Sequence, residues 1–254
     1  RRALTPWLSQ RRDAFLGKAQ RAGLDAPRGV GLLGVQGCGK SLAAKATAGA
    51  FGTPLLRLEF GALFNKWQGE TERNLRDALS IAETMAPVVL WIDELEKGLS
   101  PAEDNTGTSQ RVLGAFLTWM AERPPGVFVV ATANDIDRLP PELVRKGRVD
   151  EIFFVDLPSE VVRREIIGFL LKRREVPPGA VDVSTVAAAT DGFSGAELEQ
   201  LIVGSLFAAD AADKPIETAH LLEEAARTRP LSVVMAERIA GLRQWAASRT
   251  VPAD

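Results

Sequence analysis

The chain has 254 residues, of which 46% are apolar and 25% are charged, so it can bury the core of one large domain or of one domain and a smaller partner. Its 31 Lys and Arg residues nearly balance its 33 Asp and Glu residues, which gives no general attraction to nucleic acid or anionic lipid, although a local basic patch remains possible. One cysteine and one histidine exclude an internal disulfide and a structural zinc site.

The first two thirds of the chain alternate between apolar runs and helical patterns. In chain order the pattern predicts a helix over 7–22, a strand over 30–33, a helix over 41–50, a strand over 54–60, a helix over 71–85, a strand over 88–92, a loop over 99–107, a helix over 111–121, a strand over 127–133 and a last strand over 152–155. Strands that alternate with helices predict βαβ units and a parallel sheet.

The strand signal stops after Pro158, and the rest of the chain reads as helices. We predict helices over 159–173, 194–212, 217–228 and 232–248. The predicted domain boundary therefore lies near Pro158, with an α/β domain over residues 1–158 and a helical subdomain over residues 159–254.

A phosphate-binding loop follows the first predicted strand. Gly34-Val35-Gln36-Gly37-Cys38-Gly39-Lys40-Ser41 matches the P-loop pattern in full, between a strand and a helix. The backbone N–H groups and the helix N-terminus would hold the phosphates of ATP, the lysine would reach the β- and γ-phosphates, and the serine hydroxyl would ligate Mg²⁺. The expected nucleotide-binding residues of this segment are Gly37, Cys38, Gly39, Lys40, Ser41 and Leu42.

Polar side chains follow two of the other predicted strands. Asp93 and Glu94 end the strand over 88–92, where an Asp can hold Mg²⁺ and an adjacent Glu can act as the general base on the attacking water. Asn134 follows the strand over 127–133 and could hold that water or the γ-phosphate. The alternatives are two acids that cap the next turn and an Asn in an Asx-turn.

Taken together, these segments resemble the AAA clade of AAA+ ATPases over residues 27–201. The most specific match is Ala131-Thr132-Ala133-Asn134 with the segment Leu139 to Asp150, which resembles the second region of homology of that clade. The resemblance implies an α/β fold in which a P-loop NTPase parallel sheet, flanked by helices, is followed by a small all-helical lid subdomain. Several segments are similar in sequence to single-ring AAA proteins of cyanobacteria and plastids.

The resemblance also implies roles for individual residues. Asn134 matches the sensor-1 position, and Arg145 and Arg148 match the arginine fingers that reach the γ-phosphate of a neighbouring subunit. Without the surrounding motif, two arginines three residues apart would be read as a solvated helix end. Together with Glu94 they form the expected catalytic set, and Ser41 and Asp93 form the expected metal site.

Two further motifs resemble parts of the same clade. Gly195 and Ala196 lie in a segment similar to the lid motif that packs near the adenine, and Lys66 and Trp67 lie in a segment similar to pore loop 1, where an aromatic side chain grips a polypeptide. Gln68 departs from the usual aliphatic residue of that loop. The alternative for Trp67 is a buried core aromatic, against which its polar neighbours argue.

We therefore expect an ATP hydrolase that uses Mg²⁺ and assembles as a homo-oligomeric ring, a hexamer by the resemblance, to remodel or thread a protein substrate. The alternatives are a motor or loader that acts on nucleic-acid complexes and a ring scaffold switched by ATP. A GTPase is disfavoured because Asp93 is followed by Glu-Leu-Glu and does not begin an Asp-x-x-Gly pattern.

No run of 18 apolar residues is present, so no membrane span is expected, and the single cysteine fits a reducing, cytoplasmic location. The chain opens with an Arg, which predicts a fragment or a processed product.

Overall fold

The computed structural model describes residues 3–19, 23–63, 71–99, 108–136, 138–139, 142–143 and 148–253. The chain divides into two compact units. The sheet unit comprises residues 1–34, 40–155 and 245–254, and the helical unit comprises residues 35–39 and 156–244.

The sheet unit is built on a parallel sheet that has six strands within the described residues, in the order β2-β3-β4-β1-β5-β6. The strands are β1 (Gly29–Gly34), β2 (Leu55–Glu59), β3 (Val88–Asp93), β4 (Val127–Ala133), β5 (Glu151–Val155) and β6 (Val251–Pro252). Strands β1 and β4 are buried along their whole length, as expected for parallel strands covered on both faces. The predicted α/β fold with a parallel sheet is confirmed.

The described helices of the sheet unit are α1 (Leu4–Phe15), α2 (Lys40–Phe51), α3 (Phe60–Leu63), α4 (Thr71–Thr84), α5 (Leu95–Leu99) and α6 (Thr108–Glu122). Helix α1 ends at Phe15, whereas the sequence pattern predicted a helix to residue 22. Phe15 is buried against Phe51 of α2 and Phe128 of β4, with ring centroids 4.8 and 5.7 Å apart. The apolar pattern therefore stops where α1 leaves the core.

The helical unit carries α7 (Glu160–Arg173), α8 (Val183–Ala189), α9 (Gly195–Ala211), α10 (Thr218–Arg227), α11 (Leu231–Val234) and most of α12 (Ala236–Ala246). Helix α8 is short and was missing from the sequence prediction, and α11 and α12 were predicted as one helix over 232–248. Helix α9 begins with a full capping box, in which the Ser194 side chain accepts from the Glu197 backbone and the Glu197 side chain accepts from the Ser194 backbone. These contacts satisfy two of the donors that a helix start leaves unpaired.

The last ten residues correct the sequence analysis. Residues 245–254, which the pattern placed with the helices, belong to the sheet unit. Strand β6 pairs with β5 in the register Phe153 to Val251 and Phe154 to Pro252, so the strand over 152–155 is not the last one. A strand of two residues has no detectable alternation, and only its long-range pairing reveals it.

Candidate functional site

The phosphate-binding motif runs from the end of β1 to the start of α2. Lys40 is the first residue of α2 and is buried, 6% exposed, and its Nζ donates to the carbonyl oxygen of Gly34 at 2.7 Å. The ammonium is thus held at the carboxyl end of β1, where ligands bind in open α/β sheets. Ser41 and Leu42, the next two residues of α2, are exposed.

Gly34 is required by the sheet itself. Its φ is 146°, and a Cβ at this position would lie 2.1 Å from the carbonyl oxygen of Val155, its register partner on β5. Gly34 is also the first residue of the phosphate-binding pattern. At this position the neighbouring strand already excludes every side chain, with no nucleotide involved.

Residues 35–39, the middle of the phosphate-binding motif, belong to the helical unit. The backbone N–H of Ala196, at the start of α9, donates to the carbonyl oxygen of Gly37 at 3.1 Å. A Cβ on Gly37, whose φ is 77°, would lie 3.0 Å from Ser194 Oγ, and a Cβ on Gly195 would lie 3.3 Å from the Gly37 carbonyl oxygen. The lid-motif residues therefore contact the phosphate-binding loop, and their contact with adenine stays a prediction.

Cys38 and Gly39 complete the loop. The Cys38 thiol is buried and its Sγ lies 3.8 Å from the carbonyl oxygen of Gln36. Gly39 has a φ of 87°, a left-handed conformation that favours glycine. Gly39 has no side chain that would keep an anion from its backbone N–H, whereas the Cys38 backbone N–H donates to the carbonyl oxygen of Val35 at 3.4 Å.

Asp93 ends β3, and Thr132 of the adjacent strand β4 holds it in place. The Thr132 hydroxyl donates to Asp93 Oδ1 at 2.7 Å and accepts from the backbone N–H of Glu94 at 3.3 Å. It also accepts from Trp91 Nε1 at 3.5 Å, so its one hydrogen and both lone pairs are used. One buried hydroxyl thus holds the Asp93 carboxylate and the backbone of Glu94.

Glu94 lies at the bend between β3 and α5. Its φ is 52°, a conformation that costs a non-glycine residue about 1–2 kcal/mol and turns the chain sharply at the strand end. Its Oε2 pairs with Lys97 Nζ at 2.6 Å. This hydrogen bond to Glu94 raises the pKa of the Lys97 ammonium.

Glu96 connects this bend to Asn134. Its side chain is buried, and its Oε1 accepts from the backbone N–H of Asn134 at 3.0 Å. Burial raises the pKa of the Glu96 carboxyl, although hydrogen bonds from the backbone and side-chain amides of Asn134 act in the opposite direction. Its Oε2 is buried without a hydrogen-bond partner in the structure. Glu96 therefore fixes the residue that follows β4.

Sequence reasoning missed Thr132 and Glu96 as site residues. Thr132 could have been found as the one polar side chain in the apolar strand over 127–133, because a buried hydroxyl needs partners. Glu96 gave no such signal, since a third acid after Asp93 and Glu94 reads as a solvated face.

Arg57, on the edge strand β2, covers the other side of Asp93. Its Nη2 lies 2.8 Å from Asp93 Oδ2 and its Nη1 lies 3.0 Å from Glu59 Oε1. The guanidinium also lies over the ring of Trp91, 4.7 Å from its centroid. Both oxygens of the Asp93 carboxylate are therefore engaged, one by Thr132 and one by Arg57.

The remaining predicted site residues lie apart from this cluster or outside the described residues. Arg148 donates to the carbonyl oxygen of Glu142. Arg145, Lys66 and Trp67 lie outside the described residues, so their roles stay predictions.

The residues present fit Mg²⁺ by their chemistry. The donors that would hold the ion are the Asp93 carboxylate and the Ser41 hydroxyl, and hard oxygen ligands combined with phosphates are what Mg²⁺ takes in nucleotide sites. Asp93 ends β3, and Ser41 lies at the start of α2, which the phosphate-binding loop joins to the end of β1. In the sheet of the described residues β4 lies between β3 and β1, so both residues are at the carboxyl ends of strands, at the same edge.

A comparison of the sequence with models of known protein families identifies the family of this chain. The model of the "ATPase family associated with various cellular activities (AAA)" matches residues 30–157. The chain belongs to the AAA family of ATPases. The matched region contains the phosphate-binding motif, both acids and Asn134, and the chain is accordingly a nucleotide-binding ATP hydrolase.

Individual relatives agree with this assignment. The chain is 41% identical over 248 residues to the "Uncharacterized AAA domain-containing protein ycf46" of Guillardia theta, covering 96% of this chain and 49% of that protein. It is 37% identical over 187 residues to the proteasome-activating nucleotidase of Aeropyrum pernix, covering 71% of this chain and 46% of that protein. The match to the peroxisomal ATPase pex1 of Schizosaccharomyces pombe is 34% over 183 residues, covering 70% of this chain and 19% of that protein.

The chain thus spans about half the length of curated relatives that match nearly all of it. Among the helices in the described part of the chain, none is long and apolar enough to cross a membrane.

Proposed function

We propose that this AAA ATPase works as a homo-oligomeric ring, expected to be a hexamer, that couples hydrolysis of Mg²⁺-ATP to the remodelling or threading of a protein substrate. The observation that carries the ATPase chemistry is the cluster at the carboxyl ends of β1, β3 and β4, in which Thr132 holds the Asp93 carboxylate and the backbone of Glu94. The ring and the protein substrate are supported by the motifs shared with the AAA clade and by the family membership.

Each residue has a role that follows from its chemistry. Lys40 would neutralise the β- and γ-phosphates, while Ser41 and Asp93 would hold Mg²⁺, which when bound supplies charge neutralisation on those phosphates. Glu94 would accept the proton of the attacking water, and Asn134, fixed by Glu96, would orient that water. Lys97 pairs with Oε2 of Glu94, so Oε1 is the oxygen that would accept the proton while this contact is kept.

Two substitutions separate ATP binding from hydrolysis. Lys40→Ala removes the buried ammonium, and we expect ATP binding to be lost in calorimetric titration. Glu94→Gln keeps the shape of the side chain but removes the base, so ATP should still bind while turnover falls by roughly 10²–10⁴-fold. Unchanged turnover of Glu94→Gln would rule out Glu94 as the base.

A mixing experiment tests the ring. Glu94→Gln subunits keep Arg145 and Arg148 but lack the base, and subunits that carry Arg145→Ala and Arg148→Ala keep the base but lack the fingers. Each preparation alone should be nearly inactive, since an arginine finger is worth roughly 10³–10⁵ in rate. In mixed rings some interfaces regain both groups, and activity should partly return. If mixed rings form and stay inactive, the arginines do not act on a neighbouring subunit.

A trap experiment tests the substrate class. Glu94→Gln protein in ATP should retain its substrate, and we expect the retained material to be protein. Recovery of nucleic acid would favour the motor or loader on nucleic-acid complexes. A wild-type ring that assembles with ATP but gains no turnover from any added polymer would favour the switched scaffold.

A further inference from the structure

The Asp93 carboxylate, which is expected to hold Mg²⁺, already forms an ion pair with the Arg57 guanidinium. Arg57 lies 2.8 Å from Asp93 Oδ2, and the hydrogen bond to Asp93 is the main cause of the raised pKa of the Arg57 guanidinium. The Asp93 side chain is only 13% exposed, whereas that of Arg57 is 49% exposed. The arginine is therefore the partner with room to leave.

The surroundings explain why a cation is needed there. Glu59 is the register partner of Asp93, and Glu94 is its chain neighbour, so three carboxylates meet at the ends of β2 and β3. Like charges at this spacing repel one another unless a cation lies among them. Arg57 bridges Glu59 and Asp93, and Lys97 pairs with Glu94.

We propose that Arg57 competes with the divalent cation for Asp93 and thereby sets how strongly ATP binding depends on Mg²⁺. The inference rests on the proposed function, in which Asp93 contributes to the Mg²⁺ site. With Mg²⁺, the ion must displace Arg57 from Asp93 Oδ2, and Arg57 can turn to Glu59 while it keeps its contact with Trp91.

Removing Arg57 acts on the binding of Mg²⁺. Arg57→Gln frees Asp93 Oδ2 for the ion, which strengthens binding of the nucleotide with the ion and leaves binding without the ion nearly unchanged. The ratio of the dissociation constant in EDTA to that in excess Mg²⁺ should therefore increase, by about fivefold, the upper end for an ion pair that is partly exposed.

The test is calorimetric titration of the complete chain with a non-hydrolysable ATP analogue, in EDTA and in excess Mg²⁺. The matched control is Arg76→Gln, which removes an exposed arginine that pairs with Glu72 on α4 and should leave the ratio unchanged. As a second readout, the Mg²⁺ concentration at the midpoint of the analogue-induced rise in Tm should be lower for Arg57→Gln than for wild type. If Arg57→Gln does not fold, Arg57→Lys carries the same test with an increase of about twofold, because a shorter side chain with one ammonium holds the carboxylate less well.

The results of these titrations distinguish a failure of the proposed Mg²⁺ site from a failure of the competition by Arg57. If wild-type binding is indifferent to Mg²⁺, the proposed Mg²⁺ site is wrong and the inference is overturned with it. If wild-type binding depends on Mg²⁺ but Arg57→Gln or Arg57→Lys leaves the ratio unchanged or lowers it, the proposed site stands and the competition is refuted. A larger ratio with an unaltered Arg76→Gln control supports the competition.

Discussion

Gly34→Ala is expected to destabilise the protein even when no nucleotide is bound. The added methyl group would lie 2.1 Å from the carbonyl oxygen of Val155 and 2.8 Å from its carbonyl carbon, where the favourable separation between such atoms is roughly 3.5 Å. Both of these atoms belong to the backbone of β5, which β1 and β6 hold from its two sides. No side chain can therefore rotate away to make room.

Two terms make up the expected cost. A φ of 146° is strained for alanine by about 1–3 kcal/mol, and the overpacking against β5 adds about 1–3 kcal/mol. The free energy of unfolding should thus fall by about 2–6 kcal/mol, which is a large part of the about 5–15 kcal/mol of an ordinary domain. At about 2–4 °C per kcal/mol for a chain of this size, the Tm should fall by roughly 5–20 °C.

The measurement is thermal unfolding without nucleotide, with Gly49→Ala as the matched control. Gly49 lies in α2, and a Cβ there would meet nothing within 4 Å. Its replacement should raise the free energy of unfolding by about 0.5–1 kcal/mol, because alanine favours the helix. If Gly34→Ala leaves the nucleotide-free Tm unchanged and only weakens ATP binding, the glycine serves the phosphates and the reasoning from β5 is refuted.

Three further predictions follow from the site and its neighbours. Because burial raises the pKa of the Glu96 carboxyl above its usual 4.5, its stabilising contribution is present below that pH and lost as the pH rises through the raised pKa. The Tm of Glu96→Gln relative to wild type should therefore increase as the pH rises above 4.5, and a constant difference would contradict the assignment. Ser194→Ala removes the N-cap of α9 and should cost about 1 kcal/mol, seen as a fall in Tm of about 2–4 °C; an unchanged Tm would show that the cap is dispensable. Trp67→Ala should keep basal ATP turnover while abolishing work on a protein substrate, whereas a core tryptophan would instead cost about 3–5 kcal/mol of stability.

Features that depend on neighbours along the chain could be predicted from the sequence. The buried strands β1, β3 and β4 were found because continuous apolar runs mark strands covered on both faces. The helix that follows the phosphate-binding loop was found because the spacing of the glycines and of the Lys-Ser pair in that loop is a local signal. The ends of α1 and the short helices α8 and α11 were missed or misplaced, because contact with a core, not propensity, decides where such segments start and stop.

By itself the sequence determined the family and the parallel α/β sheet, and it supplied the candidate residues for the chemistry, because these are encoded in local patterns and contiguous motifs. Only the tertiary structure decided how those residues are held. Thr132 lies 39 residues from Asp93 in the chain, and Arg57 lies 36 residues from it, and both meet it because β4 and β2 flank β3. Strand order and register bring such side chains together, and no local pattern specifies either of them. For the same reason, the close packing of Gly34 against Val155 and the pairing of β6 with β5 could be seen only in the tertiary structure.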